Sequence, residues 1–137
     1  MKDKNCIFCK IIDKEIPSKV IFENKLNLAF LDTSPISKGH TIVIPKSHYR
    51  NLEDIPDSEL TELFKTVKQM AIIIHNKLNI DGYNVLQNNY EAAGQVVKHL
   101  HVHIIPRSLD DKRFSIKIPR NRATEEELNT ILMSLKS

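Results

Sequence analysis

The chain has 137 residues and a mass of 15.8 kDa, which fits a single domain over 1–137 and excludes a multidomain assembly. Hydrophobic residues make up 41% and charged residues 27%, so the chain can bury a core, and its net charge of +3 is too small to favour wrapping around nucleic acid. No apolar run approaches the ~18 residues that cross a bilayer, and the first residues lack the apolar stretch of a secretory signal. We therefore expect a cytoplasmic protein that binds neither nucleic acid nor membrane.

Short apolar runs bounded by turn residues predict the first strands. They lie at 20–23, 27–31 and 41–44, and Pro45 is expected to stop the third. We expect these strands to be antiparallel neighbours. A helical turn is predicted before them at 9–14.

A long amphipathic helix is predicted at 57–78, where apolar residues are spaced three and four apart. Two further strands follow at 83–87 and 96–105, the last ending at Pro106. Thr124 and Glu127 have the spacing of a capping box and predict a short C-terminal helix. These elements predict an α+β domain with about five strands and two or three helices.

Three histidines alternate in the sequence His99-Leu100-His101-Val102-His103. With six histidines in the chain, such a window arises by chance in roughly one per cent of cases. On a strand, alternate side chains share a face, so the imidazoles line one surface while Leu100 and Val102 point into a core. The outer two lie ~13 Å apart at a rise of ~3.3 Å per residue, so all three cannot ligate one metal with ~2.1 Å bonds. We expect at least one imidazole to be catalytic.

Neutral imidazole is a nucleophile available at pH 7, and water can cleave a phosphorylated imidazole. The residues before the histidines fit phosphorus chemistry, because Asn88, Gln95 and the backbone after Gly94 can donate hydrogen bonds to phosphate oxygens. The alternative is a row of surface histidines without chemistry. His75, on the predicted long helix, is expected to be a surface side chain with no role.

The stretch 94–107 resembles the signature of the histidine triad (HIT) superfamily of nucleotide hydrolases and transferases. Segments 7–12, 15–17, 29–32 and 39–48 also resemble that superfamily in order and spacing. The resemblance covers about 6–107, so we predict a histidine triad core there and a C-terminal extension with a short helix at 108–137. It implies the HIT fold, with about five antiparallel strands, one long helix and one or two short ones. It also implies a homodimer in which two sheets join.

The resemblance implies hydrolysis at the α-phosphorus of a purine nucleotide conjugate. His101 attacks to give a nucleotidyl-histidine intermediate, from which water releases AMP or another mononucleotide. His103 contacts the phosphate and can protonate the leaving group, and His40 lies behind the triad. The main-chain carbonyl of His99 orients His101.

The same resemblance implies a set of nucleotide contacts. Asp32 matches the residue that holds the ribose hydroxyls. Four apolar residues match the region around the base: Phe8, Ile11, Phe30 and Leu31. The phosphate-contacting stretch is matched by Asn88, Gly94, Gln95 and Val96. Val96 has no hydroxyl where some members carry Ser or Thr, so only its amide can serve the phosphate and turnover is expected to be slower.

The only two cysteines form the pair Cys6-Ile7-Phe8-Cys9. From spacing alone, zinc, a redox disulfide or two buried thiols all fit. In superfamily members with two such cysteines, the pair resembles half of a structural zinc site. Its other ligands would be His48 and His99 here. A closed Cys2His2 site stabilises a fold and does not activate water. We expect this zinc and no organic cofactor.

The sequence is compatible with several functions and substrates. The leading substrates are nucleoside 5′-phosphoramidates and dinucleoside polyphosphates. The densest basic stretch, 112–122, favours a second phosphate chain or is simply a solvated loop. A nucleotide-binding scaffold with little turnover and a metal-storage or metal-sensor module are the alternatives from other classes. Sugar uridylyl transfer ranks below hydrolysis, because those transferases carry proline where this chain has Leu100.

Overall fold

The computed structural model describes residues 2–112 and 120–137. Its strands form one antiparallel sheet in the order β1-β2-β3-β5-β4. The predicted α+β class with a five-stranded antiparallel sheet is confirmed. In chain order the elements are α1 (Ile7–Ile12), β1 (Val20–Glu23), β2 (Asn27–Leu31), β3 (Thr41–Pro45), α2 (Asp57–Lys77), β4 (Gly82–Leu86), a single 3-10 turn (Glu91–Ala93), β5 (Val102–Arg107) and α3 (Glu125–Lys136).

Helix α2 covers one face of the sheet and forms the larger core. It begins after Pro56, and Asp57 and Glu59 in its first turn complement the positive end of the helix dipole. Its buried stripe, spaced three and four apart, contacts apolar side chains of β2, β3 and β5. The predicted amphipathic helix is therefore confirmed. The buried residues of the stripe are Leu63, Val67, Met70, Ala71 and Ile74.

Helix α1 covers the opposite face and forms a second apolar cluster. Because side chains alternate along a strand, Leu28 and Phe30 of β2 point to this cluster while Ala29 points to the larger core. The same alternation sends Leu100 and Val102 into the larger core, as predicted. It thereby directs His101, which lies between them, toward Phe8 of α1.

The last strand is shorter than predicted at its start. β5 begins at Val102 and not at residue 96, so only His103 of the three histidines lies in a strand. The preceding backbone groups bond elsewhere: the Leu100 N–H donates to the Tyr49 carbonyl (2.7 Å), and the His99 carbonyl accepts from the His101 ring. β3 ends at Pro45, which is its last residue, whereas β5 continues one residue past Pro106, to Arg107.

Helix α3 has the predicted capping box. The Thr124 hydroxyl accepts from the Glu127 N–H, and the Glu127 carboxylate accepts from the Thr124 N–H. No residue of α3 is buried. Most of the predicted basic stretch, residues 113–119, lies outside the described residues. Within the described ranges no helix is long and apolar enough to cross a membrane, and the cytoplasmic location stays a prediction.

Candidate active site and metal centre

The imidazole of His101 has one nitrogen engaged and one free. Its Nδ1 lies 2.7 Å from the main-chain carbonyl oxygen of His99, which can only accept, so we assign the ring proton to Nδ1. The lone pair is therefore on Nε2 in the neutral ring. The Phe8 ring meets the imidazole edge-on, with centroids 5.1 Å apart. The result is a buried, oriented nitrogen nucleophile.

A hydrogen bond from His40 determines which ring nitrogen of His103 carries the proton. The Ile36 N–H donates to His40 Nδ1 (3.1 Å), so the proton of His40 lies on Nε2, which is 2.9 Å from His103 Nδ1. His103 consequently accepts at Nδ1 and carries its own proton on Nε2. The ring centroids of His101 and His103 are 4.9 Å apart, closer than the ~6.7 Å expected for alternate residues of an extended strand.

Burial keeps this group of imidazoles uncharged. It lowers the pKa of His99 and of His103 to about 4, and it lowers the pKa of His101 and of His40 below the ordinary value. The Asp32 carboxylate, 3.6 Å from His40 Nε2, opposes the shift at His40 but does not cancel it. At pH 7 the site therefore holds a neutral nucleophile beside a neutral hydrogen-bond donor.

Four possible ligand atoms converge near His101, at the N-terminal end of α1. They are the Sγ atoms of Cys6 and Cys9 and the Nδ1 atoms of His48 and His99. His99 Nε2 donates to the Pro45 carbonyl (2.9 Å), which leaves the Nδ1 lone pair directed at the cysteines.

The spacing of these atoms fits a tetrahedral zinc ion. His48 Nδ1 and His99 Nδ1 are 3.2 Å apart, and three of the four sulfur-to-nitrogen distances are 3.3, 3.4 and 3.6 Å. Bond lengths of ~2.3 Å to sulfur and ~2.0 Å to nitrogen give tetrahedron edges of about 3.3 and 3.5 Å. Burial raises the pKa of the Cys6 thiol, so binding of a metal at Cys6 would release a proton.

A second cluster of possible ligands, Asp32, His40 and His103, does not fit a metal. His40 Nε2, the atom nearest both partners, carries the ring proton because Nδ1 accepts from the Ile36 amide. A protonated nitrogen has no lone pair to donate to a metal.

Most of the predicted base-contacting residues are buried. Phe8, Ile11 and Phe30 belong to the α1 cluster and are almost fully buried, whereas Leu31 is 38% exposed at its edge. Asp32 follows β2, and its carboxylate accepts from the Ser34 N–H (2.8 Å).

The predicted phosphate-contacting residues have different environments. Asn88 is half-buried, Gly94 is exposed, and Val96 is 89% exposed with its side chain in solvent. Gln95 instead is 6% exposed, and its amide group bonds to main-chain atoms of the protein. The role of Gln95 as a phosphate donor remains a prediction, and its side-chain amide already bonds within the protein.

Sequence patterns missed the main-chain groups that orient the rings. The Pro45 carbonyl and the Ile36 amide fix the tautomers of His99 and His40, and backbone groups leave no residue-type signal. The contact between the Arg50 guanidinium and the Tyr90 ring, 5.7 Å from Cζ to centroid, was also missed. Its partners are forty residues apart, and neither belongs to a recognised motif.

The chain belongs to the HIT domain family, whose model matches residues 13–109. It is 53% identical over 102 residues to an uncharacterized HIT-like protein of Methanocaldococcus jannaschii, covering 74% of this chain and 78% of that one. It is 48% identical over 105 residues to adenosine 5′-monophosphoramidase HNT1 of Saccharomyces cerevisiae, covering 77% and 64%. The crystal structure of the histidine triad nucleotide-binding protein from Candida albicans matches with a TM-score of 0.87 at 38% identity, covering 96% and 95%. The resemblance drawn from the sequence is confirmed.

The buried imidazoles predict that stability falls in acid. His103 has a pKa of about 4 in the folded chain and near ~6.5 when unfolded, so the unfolded state binds more protons between these values. Its contribution is complete above pH ~6.5 and is lost as pH falls toward ~4. Thermal unfolding midpoints at pH ~7.5 and ~5 should therefore differ less in His103→Gln than in wild type. The exposed His75→Gln variant is the control, and equal pH slopes for all three proteins would contradict the account.

Proposed function

We propose that the chain hydrolyses nucleoside 5′-phosphoramidates or dinucleoside polyphosphates at the α-phosphorus and releases AMP or another nucleoside monophosphate. The observation that carries the proposal is the free Nε2 lone pair of His101 on a neutral, oriented imidazole. The name adenosine 5′-monophosphoramidase of the yeast relative supports the same chemistry. We propose for this chain the activity that the name of that relative states.

In the first step His101 Nε2 forms a bond to the α-phosphorus, and the bond from phosphorus to the leaving nitrogen or oxygen breaks. His101 then carries a positive charge, which its Nδ1–H shares with the His99 carbonyl. His103, whose ring lies about 5 Å away, can donate a hydrogen bond from its Nε2–H to the leaving atom. The leaving atom takes its proton from solvent water, because a neutral imidazole that lost its only N–H proton would become an anion. Phosphorus remains bonded to histidine as a nucleotidyl intermediate.

In the second step water attacks the same phosphorus. The bond from His101 Nε2 to phosphorus breaks, the electron pair returns to the ring, and the attacking water releases a proton to solvent. AMP leaves, and His101 is again neutral. The hydrogen bond from His40 to His103 Nδ1 keeps the His103 proton on the side that faces away from His40 throughout.

We also propose that Cys6, Cys9, His48 and His99 hold a structural zinc ion. The spacing and protonation states of the four donors support it. When bound, the ion supplies a closed cross-link between α1, the end of β3 and the histidine segment. The ring of His99 is then fixed from two sides, by the metal and by the Pro45 carbonyl.

We further propose a homodimer through the β4 edge of the sheet. β4 is an outer strand that exposes Tyr83 and Val85, and the neighbouring face of α2 exposes Phe64, Ile72 and Ile73. The His75 ring lies 5.8 Å from the Tyr83 ring, so this part of the helix and the strand form one surface. An exposed apolar edge strand favours pairing with a second copy.

The activity proposal predicts that AMP release depends on His101. Wild-type protein should release AMP from adenosine phosphoramidate or from a diadenosine polyphosphate, and His101→Ala should lose about three orders of magnitude or more in kcat/KM. His75→Ala, exposed on α2, is the matched control and should keep wild-type turnover. If wild type binds AMP but cleaves neither substrate, the proposal fails and a nucleotide-binding scaffold replaces it.

The zinc proposal predicts about one zinc per chain in protein purified without chelator, measured by elemental analysis. Cys9→Ser should lower the zinc content severalfold and lower the unfolding midpoint, since binding free energy of the metal is folding free energy. His40→Gln alters an imidazole outside the donor set and should keep its zinc. Metal-free wild-type protein would refute the proposal.

The dimer proposal predicts a sedimenting mass twice that of one chain. Val85→Asp places a charge on the β4 edge and should shift the protein to monomer at low micromolar concentration. Val20→Asp is the matched control, because Val20 is similarly exposed on β1, the opposite edge of the sheet. A monomeric wild type, or equal dissociation by both variants, would contradict the assigned edge.

A further inference from the structure

Tyr90 has a strained backbone in the loop that precedes the histidines. Its φ is 69° and its ψ is 158°, a region that glycine enters freely and that is costly for a residue with a side chain. Such strain persists only where surrounding contacts impose it. The loop, residues 88–96, contains the four residues of the predicted phosphate-contacting stretch.

The contacts that impose the strain come mainly from Gln95. Its Oε1 accepts from the Tyr90 N–H (2.8 Å), and its own N–H donates to the Tyr90 carbonyl (3.1 Å). Both backbone polar groups of the strained residue are thus bonded to Gln95, and the Tyr90 carbonyl also accepts from the Ala93 N–H (3.1 Å). The Arg50 guanidinium lies 5.7 Å from the centroid of the Tyr90 ring and holds the side chain.

Gln95 is itself anchored to the body of the protein. Its Nε2 donates to the Arg50 carbonyl (2.7 Å) and to the Val97 carbonyl (3.1 Å), which accounts for both hydrogens of the amide. Two further bonds fasten the same two segments: Leu52 N–H to Asn89 Oδ1 (2.9 Å) and Leu100 N–H to the Tyr49 carbonyl (2.7 Å). The buried Gln95 side chain therefore has no hydrogen left for a ligand.

We propose that Gln95 is a positioning residue, which clamps Tyr90 in its strained conformation and thereby places the 88–96 loop against the substrate phosphate without touching it. The proposal deepens the hydrolase function above and rests on it. It replaces the role of Gln95 as a phosphate donor that the sequence resemblance implied.

If Gln95 acts by holding the strained backbone of Tyr90, a substitution that relieves the strain should reduce the need for Gln95. Direct contact between Gln95 and the phosphate makes no such prediction. Glycine at position 90 adopts the observed φ and ψ without strain, so the loop would keep its shape with less help from Gln95. Alanine at position 90 removes the ring contact with Arg50 but keeps the strain. Comparison of Tyr90→Gly with Tyr90→Ala therefore isolates the backbone effect.

The experiment is a mutant cycle on the full chain with three readouts. The proteins are wild type, Gln95→Ala, Tyr90→Gly, Tyr90→Ala and the two double variants. AMP affinity is measured by calorimetry, kcat/KM with adenosine phosphoramidate, and the unfolding midpoint by thermal denaturation. We expect Gln95→Ala to lose about tenfold or more in both AMP affinity and kcat/KM.

The clamp predicts rescue by glycine alone. Tyr90→Gly/Gln95→Ala should regain at least about half of the loss on a logarithmic scale, and Tyr90→Ala/Gln95→Ala should regain none. If the glycine double variant is as poor as Gln95→Ala, then Gln95 acts on the phosphate directly and the proposal is overturned.

The unfolding midpoint tests the clamp without catalysis, also where Gln95→Ala fails to fold. Tyr90→Gly should unfold at a temperature at least about 2 °C above Tyr90→Ala, the reverse of the usual order for these residues. A midpoint for glycine at or below that of alanine would overturn the strain argument. A wild type that neither binds AMP nor turns over would refute the hydrolase function instead, and the midpoint comparison would still decide the clamp.

Discussion

The hydrogen bond from His101 Nδ1–H to the His99 carbonyl, 2.7 Å long, determines the chemistry that the site can perform. It leaves the lone pair of the neutral ring on Nε2, the nitrogen that attacks phosphorus in the proposed reaction. The residue that provides the carbonyl is held from both sides of its own ring, by the Pro45 carbonyl and by the cysteine and His48 cluster. His99 therefore links the candidate metal site to His101, the proposed nucleophile.

Burial is the second constraint, and it acts through packing of α1 on the sheet. Phe8 lies between the two cysteines in sequence, and its ring contacts the rings of both His99 and His101. The apolar contact disfavours charge on the imidazoles and keeps them neutral near pH 7. The first turn of α1 thus contributes to the candidate metal site and to the surroundings of His101. Phe8, which contacts His101, lies in the same turn as the two cysteines.

Local patterns in the sequence predicted the strands, the long helix, the α3 capping box and the alternation of Leu100 and Val102 into the core. They extended the last strand too far, because periodicity cannot show that the Leu100 amide bonds to Tyr49 or that the His99 carbonyl bonds to a side chain. His40, His99, His101 and His103, which the family resemblance grouped, lie close together, and their roles remain predictions. Tautomers and the strain at Tyr90 were beyond prediction, since both depend on backbone groups and dihedral angles that residue types do not encode.

The central claim is that His101 Nε2 becomes covalently bonded to the nucleotide. Its most direct test is peptide mass spectrometry of protein denatured at alkaline pH during turnover of an adenosine phosphoramidate, conditions under which a phosphorus–nitrogen bond to histidine persists. The account predicts one adenylyl group per modified chain, on His101. An adduct on His103, or turnover with no adduct under conditions that preserve phosphohistidine in a reference protein, would contradict it.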